Sequence, residues 1–246
     1  MKNNLNKSQI ERFSRQLILK NIGPKGQKKI LSSKVLIVGV GGLGCPAAES
    51  LVRAGIGTIG LIDNDIVNLS NIHRQSLFNS KDIKKLKVVV AAKKLKEINP
   101  LTKIITYKSR LNQKNIENIL KNYELIIDGS DNFKTKFLIN DYCIKFKKKL
   151  ITGAISKFDG HIFTFNFRDK KTASLRNFYQ EKVVSDNLLN CEFEGVVGTT
   201  ALIVGAAQAN EALKMLMEIG QNLKNQILII DLLNLNFRKV KFRKIE

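Results

Sequence analysis

The sequence predicts an α/β fold that is built on one mostly parallel sheet. Short apolar runs typical of buried strands alternate with longer segments of helical periodicity, and this alternation is typical of parallel sheets. A glycine-rich turn joins the first run to a helix. Near the C-terminus, two strand segments, 227–232 and 236–242, are joined too tightly for a crossover helix, so we expect them to pair antiparallel.

The stretch from Lys34 to Asp65 has the pattern of a nucleotide-binding βαβ unit. In chain order it contains a strand, a glycine turn, a helix, a second strand and an acidic residue, namely Val35–Val38, 39–44, Cys45–Ala54, Ile59–Ile62 and Asp63. A glycine turn alone is weak support for such a unit. Because all the parts are present in order, the sequence favours a nucleotide site over a purely structural turn and predicts a Rossmann-like fold.

Each part of this unit has a physical role. Gly39 and Gly41 permit a tight turn and let backbone N–H groups approach a phosphate, and Gly44 lets the helix lie close to the sheet. The N-terminus of the helix adds a partial positive charge. Asp63 ends the next strand, where its carboxylate can bind the ribose hydroxyls.

The other elements complete a mixed sheet of about eight strands. Ahead of the unit, a helix that opens at Ser8 is expected to end at Pro24 and Gly26. Further helices are predicted over about 86–98 and 132–147. The remaining strands are predicted at Ile104–Tyr107, Leu125–Ile127, Leu150–Thr152 and His161–Phe167, in addition to the two C-terminal strands.

No linker, repeat or low-complexity segment divides the 246 residues, so a single domain is predicted. Its expected parts are an N-terminal helical arm, a nucleotide-binding core, a crossover loop, and a C-terminal helix with antiparallel strands, at 1–31, 32–167, 168–194 and 195–246. A loop as long as the third part inside a compact domain is usually functional.

The formal charge of +21 arises from 42 basic and 21 acidic residues. Such a charge is compatible with nucleic acid, an acidic protein or a polyphosphate as partner. The lysines are spread over every segment, however, and aromatic residues do not interleave with the basic runs in any nucleic-acid motif. A solvated basic surface explains the composition equally well, and a nucleic-acid partner is not favoured.

The three cysteines, Cys45, Cys143 and Cys191, lie far apart and form no CxxC pair. Neither a disulfide framework nor a four-cysteine zinc site is therefore predicted. The most apolar stretch, Val196–Ala207, is too short to span a bilayer, and the N-terminus has no apolar signal segment. We expect a soluble protein in the reducing cytoplasm.

Four charged residues are candidates for the site, although composition alone does not distinguish them from surface charge. Arg15 is on the N-terminal helix, and Arg74 is in a polar loop that leaves the carboxyl end of a strand. Lys87 opens a helix, where a cation opposes the dipole, so an anion is expected nearby. Asp131 follows another strand, where it either caps the next helix or holds Mg²⁺.

Eight short motifs follow one another along the chain. They are RFSRQLIL at Arg12–Leu19, VGVGGLGC at Val38–Cys45, LIDND at Leu61–Asp65, LSNIHRQ at Leu69–Gln75, Lys87 with INP at Ile98–Pro100, SDN at Ser130–Asn132, ITGA at Ile151–Ala154 and QANEALKML at Gln208–Leu216. In this order they resemble the family of ubiquitin-like-protein activating enzymes, specifically the bacterial sulfur-carrier adenylyltransferases of the MoeB/ThiF/HesA type. The resemblance covers nearly the whole chain.

The resemblance implies a homodimer with a mixed eight-stranded sheet that binds ATP with Mg²⁺. Such an enzyme joins AMP to the C-terminal Gly-Gly carboxylate of a small ubiquitin-like, β-grasp sulfur carrier and releases pyrophosphate, in molybdopterin or thiamine-thiazole sulfur transfer. Asp131 would hold the Mg²⁺ that accompanies ATP, and Arg15 would reach the nucleotide from the other subunit. The family pattern places these residues at the nucleotide: Gly42, Asp63, Ser70, Asn71, Ile72, His73, Arg74, Lys87, Asp131 and Asn132.

The chemistry of the implied reaction agrees with these residues. A C-terminal carboxylate has a pKa of about 3.5 and is ionised at neutral pH, so it needs no general base. The obstacle is repulsion between this anion and a polyphosphate, which preorganised positive charge offsets. The predicted catalytic groups are therefore Arg15, Arg74, Lys87 and an Mg²⁺ held by Asp131.

Two departures from the family pattern change the expectations. Many members bind structural zinc through two CxxC pairs, whereas the corresponding segments here read KKTASLRNFY and VKFRKIE, so no structural zinc is expected. Cys191 matches the loop cysteine that forms a covalent sulfur link with the carrier in thiazole-type members. It is a candidate for sulfur chemistry, and an inert, partly buried thiol is the alternative.

Three other functions are compatible with parts of the sequence. A nicotinamide- or flavin-dependent (NAD or FAD) oxidoreductase would use the glycine turn and Asp63, but would leave Arg74, Lys87 and the SDN turn unexplained. A relative that activates a carboxylate on transfer RNA with ATP would suit the positive charge, yet RFSRQLIL and QANEALKML are carrier-activating signatures. A catalytically inactive scaffold is disfavoured because every charged position of the family site is filled.

Overall fold

The computed structural model describes residues 5–179 and 195–243. Its strands are β1 Lys34–Val38, β2 Thr58–Ile62, β3 Lys103–Tyr107, β4 Leu125–Asp128, β5 Lys149–Ser156, β6 Asp159–Asn166, β7 Gln226–Asp231 and β8 Asn236–Lys241. They form one eight-stranded sheet in the order β3-β2-β1-β4-β5-β6-β7-β8, which confirms the predicted fold class.

The first five strands pair in parallel, with β1 between β2 and β4. Val38 lies level with Ile62 on one side and with Asp128 on the other. The carboxyl ends of β1, β2 and β4 therefore meet at one edge of the sheet, and the turns that follow them come together there. From β5 to β8 the pairing is antiparallel, as predicted for the last pair. The outer strand β8 is exposed along its whole length.

Helices cover both faces of the sheet. Their bounds are α1 Lys7–Arg12, α2 Ser14–Leu17, α3 Gly23–Ser32, α4 Gly44–Ala54, α5 Lys87–Ile98, α6 Ile116–Leu120, α7 Phe133–Lys145, α8 Leu175–Phe178 and α9 Gly198–Met217. Ile37 belongs to a core with residues of α4, α5 and α9, whereas its neighbour Leu36 belongs to a core with residues of α6 and α7. Successive strand residues point to opposite faces, so a continuous apolar run such as β1 is buried on both. Within the described ranges, none of the helices combines the length and the apolar character that a membrane span requires.

The N-terminal arm differs in detail from the sequence expectation. Pro24 and Gly26 do not end a helix but lie inside α3, because proline is tolerated in the first helical turn, where its missing N–H would have no intrahelical acceptor. A Cβ at Gly26 would stand 3.1 Å from the Met217 sulfur, so glycine permits close packing of α3 on α9. The preceding helix α1 begins after Asn6, whose side chain caps it, and not at Ser8.

The first part of the crossover loop, as far as residue 179, is anchored by side chains. Arg176 in α8 forms an ion pair with Asp141 of α7 at 2.7 Å. The Tyr179 ring packs edge-on against Phe133 and Phe163, with centroid distances of 5.0 and 5.9 Å. These contacts hold this part of the loop against α7 and β6.

Candidate active site

One cleft of about 360 Å³ lies at the carboxyl ends of β1, β2 and β4. Most of the predicted site residues line it, namely Gly39, Gly41, Gly42, Asp63, Asn71, Arg74, Lys87, Asp131 and Asn132. Within the described part of the chain, the lining does not include Gly44, Ser70, Ile72, His73 or Arg15. The segment that follows β3 contributes Ser109, Arg110 and Leu111, so the fold gathers segments that follow four different strands into one concave surface.

The glycine turn after β1 is compact because its backbone leaves no room for side chains at two points. Gly39 has a φ of +84°, a conformation that favours glycine. A Cβ at Gly44 would stand 1.9 Å from Gly39 O, so glycine lets α4 begin directly against the turn. At Gly41 the nearest atom to a Cβ would be Gln75 Nε2, at 3.7 Å. Gly44 thus serves packing, whereas Gly41 leaves space in the cleft.

Asp63 connects the end of β2 to the glycine turn. Its carboxylate accepts hydrogen bonds from Val40 N at 2.7 Å and from Asp65 N at 2.8 Å. Burial raises the pKa of Asp63 above its ordinary value, and these two N–H groups oppose that shift. Asp63 therefore clamps the turn. Its contact with a ribose stays a prediction, for which each carboxylate oxygen retains a lone pair.

Lys87 is a buried cation of the cleft. It opens α5, and its Nζ lies 3.2 Å from Asp65 Oδ2. The Lys87 side chain is 8% exposed and the Asp65 side chain is 60% exposed. Asp65 is the anion that a lysine at a helix N-terminus was expected to require. The Asp65 carboxylate is mostly exposed to water. Lys87 can therefore pair with a phosphate in the cleft as well as with Asp65.

Arg74 is held by its own loop. Its Nη1 donates to Ser70 O at 2.7 Å and lies 2.9 Å from His73 Nε2. Ser70 and His73 therefore contact Arg74 without lining the cleft themselves. These contacts fix the guanidinium of Arg74, a residue that lines the cleft.

Asp131 and Asn132 divide two roles between them. Asn132 is the N-cap of α7, because its side chain accepts a hydrogen bond from Thr135 N at 2.9 Å. Of the two interpretations of Asp131, the capping one is therefore wrong. The Asp131 side chain is exposed and accepts a hydrogen bond from Asn132 Nδ2 at 3.2 Å. Asp131 is one of the residues that line the cleft.

The cleft has features that suit a nucleotide with its metal ion. Gln75 lines the cleft beside the glycine turn, and its buried Oε1 has no hydrogen-bond partner among the described residues, as is also true of Gln27 and Gln208 outside the cleft lining. No group of three or more His, Cys, Asp or Glu side chains in the described ranges is arranged to hold a metal. Mg²⁺ commonly takes one or two carboxylates together with phosphate oxygens, so a single exposed carboxylate at Asp131 fits that mode.

A sequence model of the ThiF family matches residues 13–245 of this chain. The chain belongs to the ThiF family. The matched range contains every residue of the cleft described above, as well as Arg15.

Three curated relatives show how the chain compares within the ThiF family. It is 37% identical to "Sulfur carrier protein adenylyltransferase" of Thermus thermophilus, over 97% of this chain and 89% of that protein. It is 38% identical to "Probable molybdopterin-synthase adenylyltransferase" of Gracilaria tenuistipitata var. liui, over 96% and 66%. It is 39% identical to "Adenylyltransferase and sulfurtransferase MOCS3" of Drosophila virilis, over 97% and 53%, so the chain spans about half of that relative.

Solved structures support the ThiF-family fold. A crystal structure of E. coli MccB with MccA-N7isoASN superposes with a TM-score of 0.84 at 21% identity, over 98% of this chain and 74% of that one. A crystal structure of E. coli MccB with ATP gives a TM-score of 0.78 at 21% identity, over 89% and 67%. At this level of identity the agreement concerns the fold.

Sequence reasoning missed a buried pair in this ThiF-family cleft. Lys136 lines the cleft and contacts Asp128, which ends β4. A signal was present, because Phe133, Lys136, Phe137 and Asn140 recur at the spacing of one buried helix face. A lysine on the apolar side of a helix requires a polar or charged partner, yet Lys136 was not among the predicted site residues.

The remaining predicted residues lie apart from the cleft or outside the described ranges. Arg15 is exposed on α2, as a residue that acts on another subunit would have to be. Cys191 lies outside the described residues. Cys45 is buried beside the glycine turn, and burial raises its pKa to about 12, which agrees with a packing role.

Proposed function

We propose that this chain is an ATP-dependent nucleotidyltransferase that activates the C-terminal Gly-Gly carboxylate of a small ubiquitin-like sulfur carrier as an acyl adenylate, for molybdopterin or thiamine-thiazole sulfur transfer. The observation that carries the proposal is the cleft itself, in which a glycine turn, cations that include Arg74 and Lys87, and the exposed residue Asp131 come together in a ThiF-family fold. The names of the relatives point to the same reaction.

The reaction needs charge and position rather than proton transfer. A carboxylate oxygen of the carrier attacks the α-phosphorus of ATP, the bond to the leaving pyrophosphate breaks, and no proton moves, because the carboxylate is already ionised. Arg74 and the buried Lys87 would offset the repulsion between these anions. Asp131 would hold Mg²⁺, which when bound neutralises charge on the phosphates.

The proposal includes a homodimer in the cytoplasm. Arg15 lies outside the cleft of its own chain, and the arm that carries it also exposes Ile18 and Leu19. Exposed large apolar side chains beside a cation are compatible with an arm that packs on a second copy and delivers Arg15 there.

The test is pyrophosphate–ATP exchange by the purified protein with candidate carriers that end in Gly-Gly. Each reaction is checked by intact mass for a carrier–AMP adduct, and the same carrier without its terminal glycine is the control. We expect exchange that depends on one intact carrier. Exchange with none of them, together with salt-sensitive retention of transfer RNA, would instead support the RNA-modifying alternative.

A further inference from the structure

A buried ion pair lies beneath the turn that carries Asp131. Lys136 Nζ is 3.0 Å from Asp128 Oδ2, and the two side chains are 3% and 1% exposed. Lys136 Nζ also donates to Gly153 O of β5 at 2.6 Å. The same Asp128 oxygen accepts a hydrogen bond from Thr152 Oγ1. The pair therefore links β4, β5 and α7 below the cleft.

Stability does not explain why a lysine occupies this position. A buried ion pair costs desolvation on both sides, and well-packed apolar residues of similar volume are often as stable or more stable. Lys136 also lies in the first turn of α7, where a cation opposes the helix dipole. Two unfavourable features at one residue, which also lines the cleft, point to a role in the site.

Asp128, the acidic member of the pair, also contacts the turn from Asp128 to Asn132. Asp128 Oδ1 accepts hydrogen bonds from Ser130 N at 2.9 Å and from Ser130 Oγ at 2.5 Å, so the residue before Asp131 is fixed by Asp128. Asn132, the residue after Asp131, is fixed as the cap of α7. The backbone on both sides of Asp131 is therefore set by Asp128 and by the helix that holds Lys136.

The turn also touches the glycine turn. A Cβ at Gly129 would stand 3.1 Å from Gly44 N and 3.3 Å from Gly39 O, so the two turns are in close contact. Gln208 of α9 donates to Asp128 O at 3.0 Å and supports the same segment from the opposite face. A shift of Asp128 would therefore change the distance between Asp131 and the glycine turn.

We propose that Lys136 is a positioning residue that acts through Asp128. By neutralising and fixing the Asp128 carboxylate, it sets the turn that presents Asp131, and thereby the extent to which Mg²⁺ tightens ATP binding. This inference rests on the proposed function, in which Asp131 holds the metal. Lys136 itself need not contact the nucleotide.

The test compares ATP dissociation constants, measured by titration calorimetry, with Mg²⁺ and with EDTA. The Mg²⁺ ratio is the dissociation constant in EDTA divided by the dissociation constant with Mg²⁺. We expect Lys136→Met to reduce the Mg²⁺ ratio at least fivefold. The affinity for ATP in EDTA should stay within about twofold of that of the unchanged protein. Thr152→Val removes one hydrogen bond from Asp128 with little change of shape and should reduce the ratio less. If Lys136→Met does not fold, Thr152→Val still tests whether the contacts of Asp128 set the Mg²⁺ ratio.

A second readout needs no ligand. Ser130 N–H donates to Asp128 Oδ1, so in the metal-free protein its amide hydrogen should exchange faster in Lys136→Met than in the unchanged protein. The control is Lys94→Met, which removes the ion pair of Lys94 with Asp82 at 2.5 Å, outside the cleft lining. It should change neither the Ser130 exchange rate nor the Mg²⁺ ratio.

The outcomes separate the two proposals. If the unchanged protein shows Mg²⁺-linked ATP binding and Lys136→Met keeps both the ratio and slow Ser130 exchange, the positioning role is wrong while the proposed function stands. If the unchanged protein binds ATP equally well with and without Mg²⁺, the positioning role is also wrong. If it neither binds ATP nor supports carrier-dependent exchange, the proposed function fails.

Discussion

The turns after β1 and β4 lie side by side at one edge of the sheet, yet they are built in opposite ways. The glycine turn relies on backbone, because side chains are absent where Gly39 and Gly44 meet. The turn after β4 relies on side chains, because Asp128 accepts hydrogen bonds from Ser130, Thr152 and Lys136. The first leaves space at Gly41 in the cleft, and the second brings the exposed residue Asp131 to it.

Gly44→Ala should break the first turn and have the largest effect. A Cβ 1.9 Å from Gly39 O forces the backbone to move, and we expect a loss of about 3 kcal/mol or more in the free energy of unfolding. Urea unfolding followed by circular dichroism measures it. Gly41→Ala is the matched control, because its Cβ would meet Gln75 Nε2 at an ordinary 3.7 Å. It should weaken ATP binding with little loss of stability, and a stable Gly44→Ala would contradict the steric argument.

Asp131→Asn acts on the second turn and should leave the fold intact. Asp131 is exposed, so we expect the melting temperature to stay nearly constant. Formation of the carrier–AMP adduct should fall about 100-fold or more, which corresponds to about 2.7 kcal/mol in the barrier. Asp159→Asn, at an exposed acid outside the cleft lining, is the control. Near-normal activity of Asp131→Asn would remove Asp131 from the proposed metal site.

Gly129→Ala tests the contact between the turns. Its Cβ would lie 3.1 Å from Gly44 N and 3.3 Å from Gly39 O, distances that small shifts can relieve. We expect a loss of about 1 to 2 kcal/mol in the free energy of unfolding, which is less than for Gly44→Ala. The same urea experiment measures it. A loss as large as that of Gly44→Ala would mean that the two turns form one rigid unit rather than two units in contact.

The smallest effect is expected when the folded protein is treated with a reagent that labels thiols, because Cys45, next to the glycine turn, is buried. Burial raises its pKa to about 12, so about one thiol in 10,000 is ionised at pH 8. Iodoacetamide should therefore leave Cys45 unmodified in the folded protein and label it in urea, as peptide mapping can show. Burial also raises the pKa of Cys143, so that thiol should behave in the same way. Rapid labelling of either in the folded state would show that the core opens easily.

The two turns also differ in how far the sequence could predict them. The glycine turn follows from local rules, because the residue types between Lys34 and Asp63 are restricted by sterics within one short stretch. The expected strands at Val35–Val38 and Ile59–Ile62 agree with β1 and β2 to within one residue. Asp63 was expected at the end of β2, although its clamp on Val40 was not.

The turn after β4 depends on long-range partners. Lys136, Thr152 and Gly153 come from α7 and β5, and their contacts with Asp128 or with one another exist only once the sheet has formed. The helical spacing of Lys136 with Phe137 indicated burial, but it could not name Asp128 as the partner. The helix α3 was not predicted, for a simpler reason. Pro24 was treated as a helix breaker, although the first helical turn accepts proline.

The exposed strand β8 has a consequence for how the protein behaves in concentrated solution. A sheet edge offers unpaired N–H and C=O groups to any other extended chain, and natural proteins discourage such additions with charged side chains. β8 carries Arg238, Lys239 and Lys241, so two copies that approach edge to edge repel each other. We therefore expect the basic residues of β8 to oppose fibrous aggregation. Polyanions or high salt, which mask that repulsion, should make the protein more prone to aggregate.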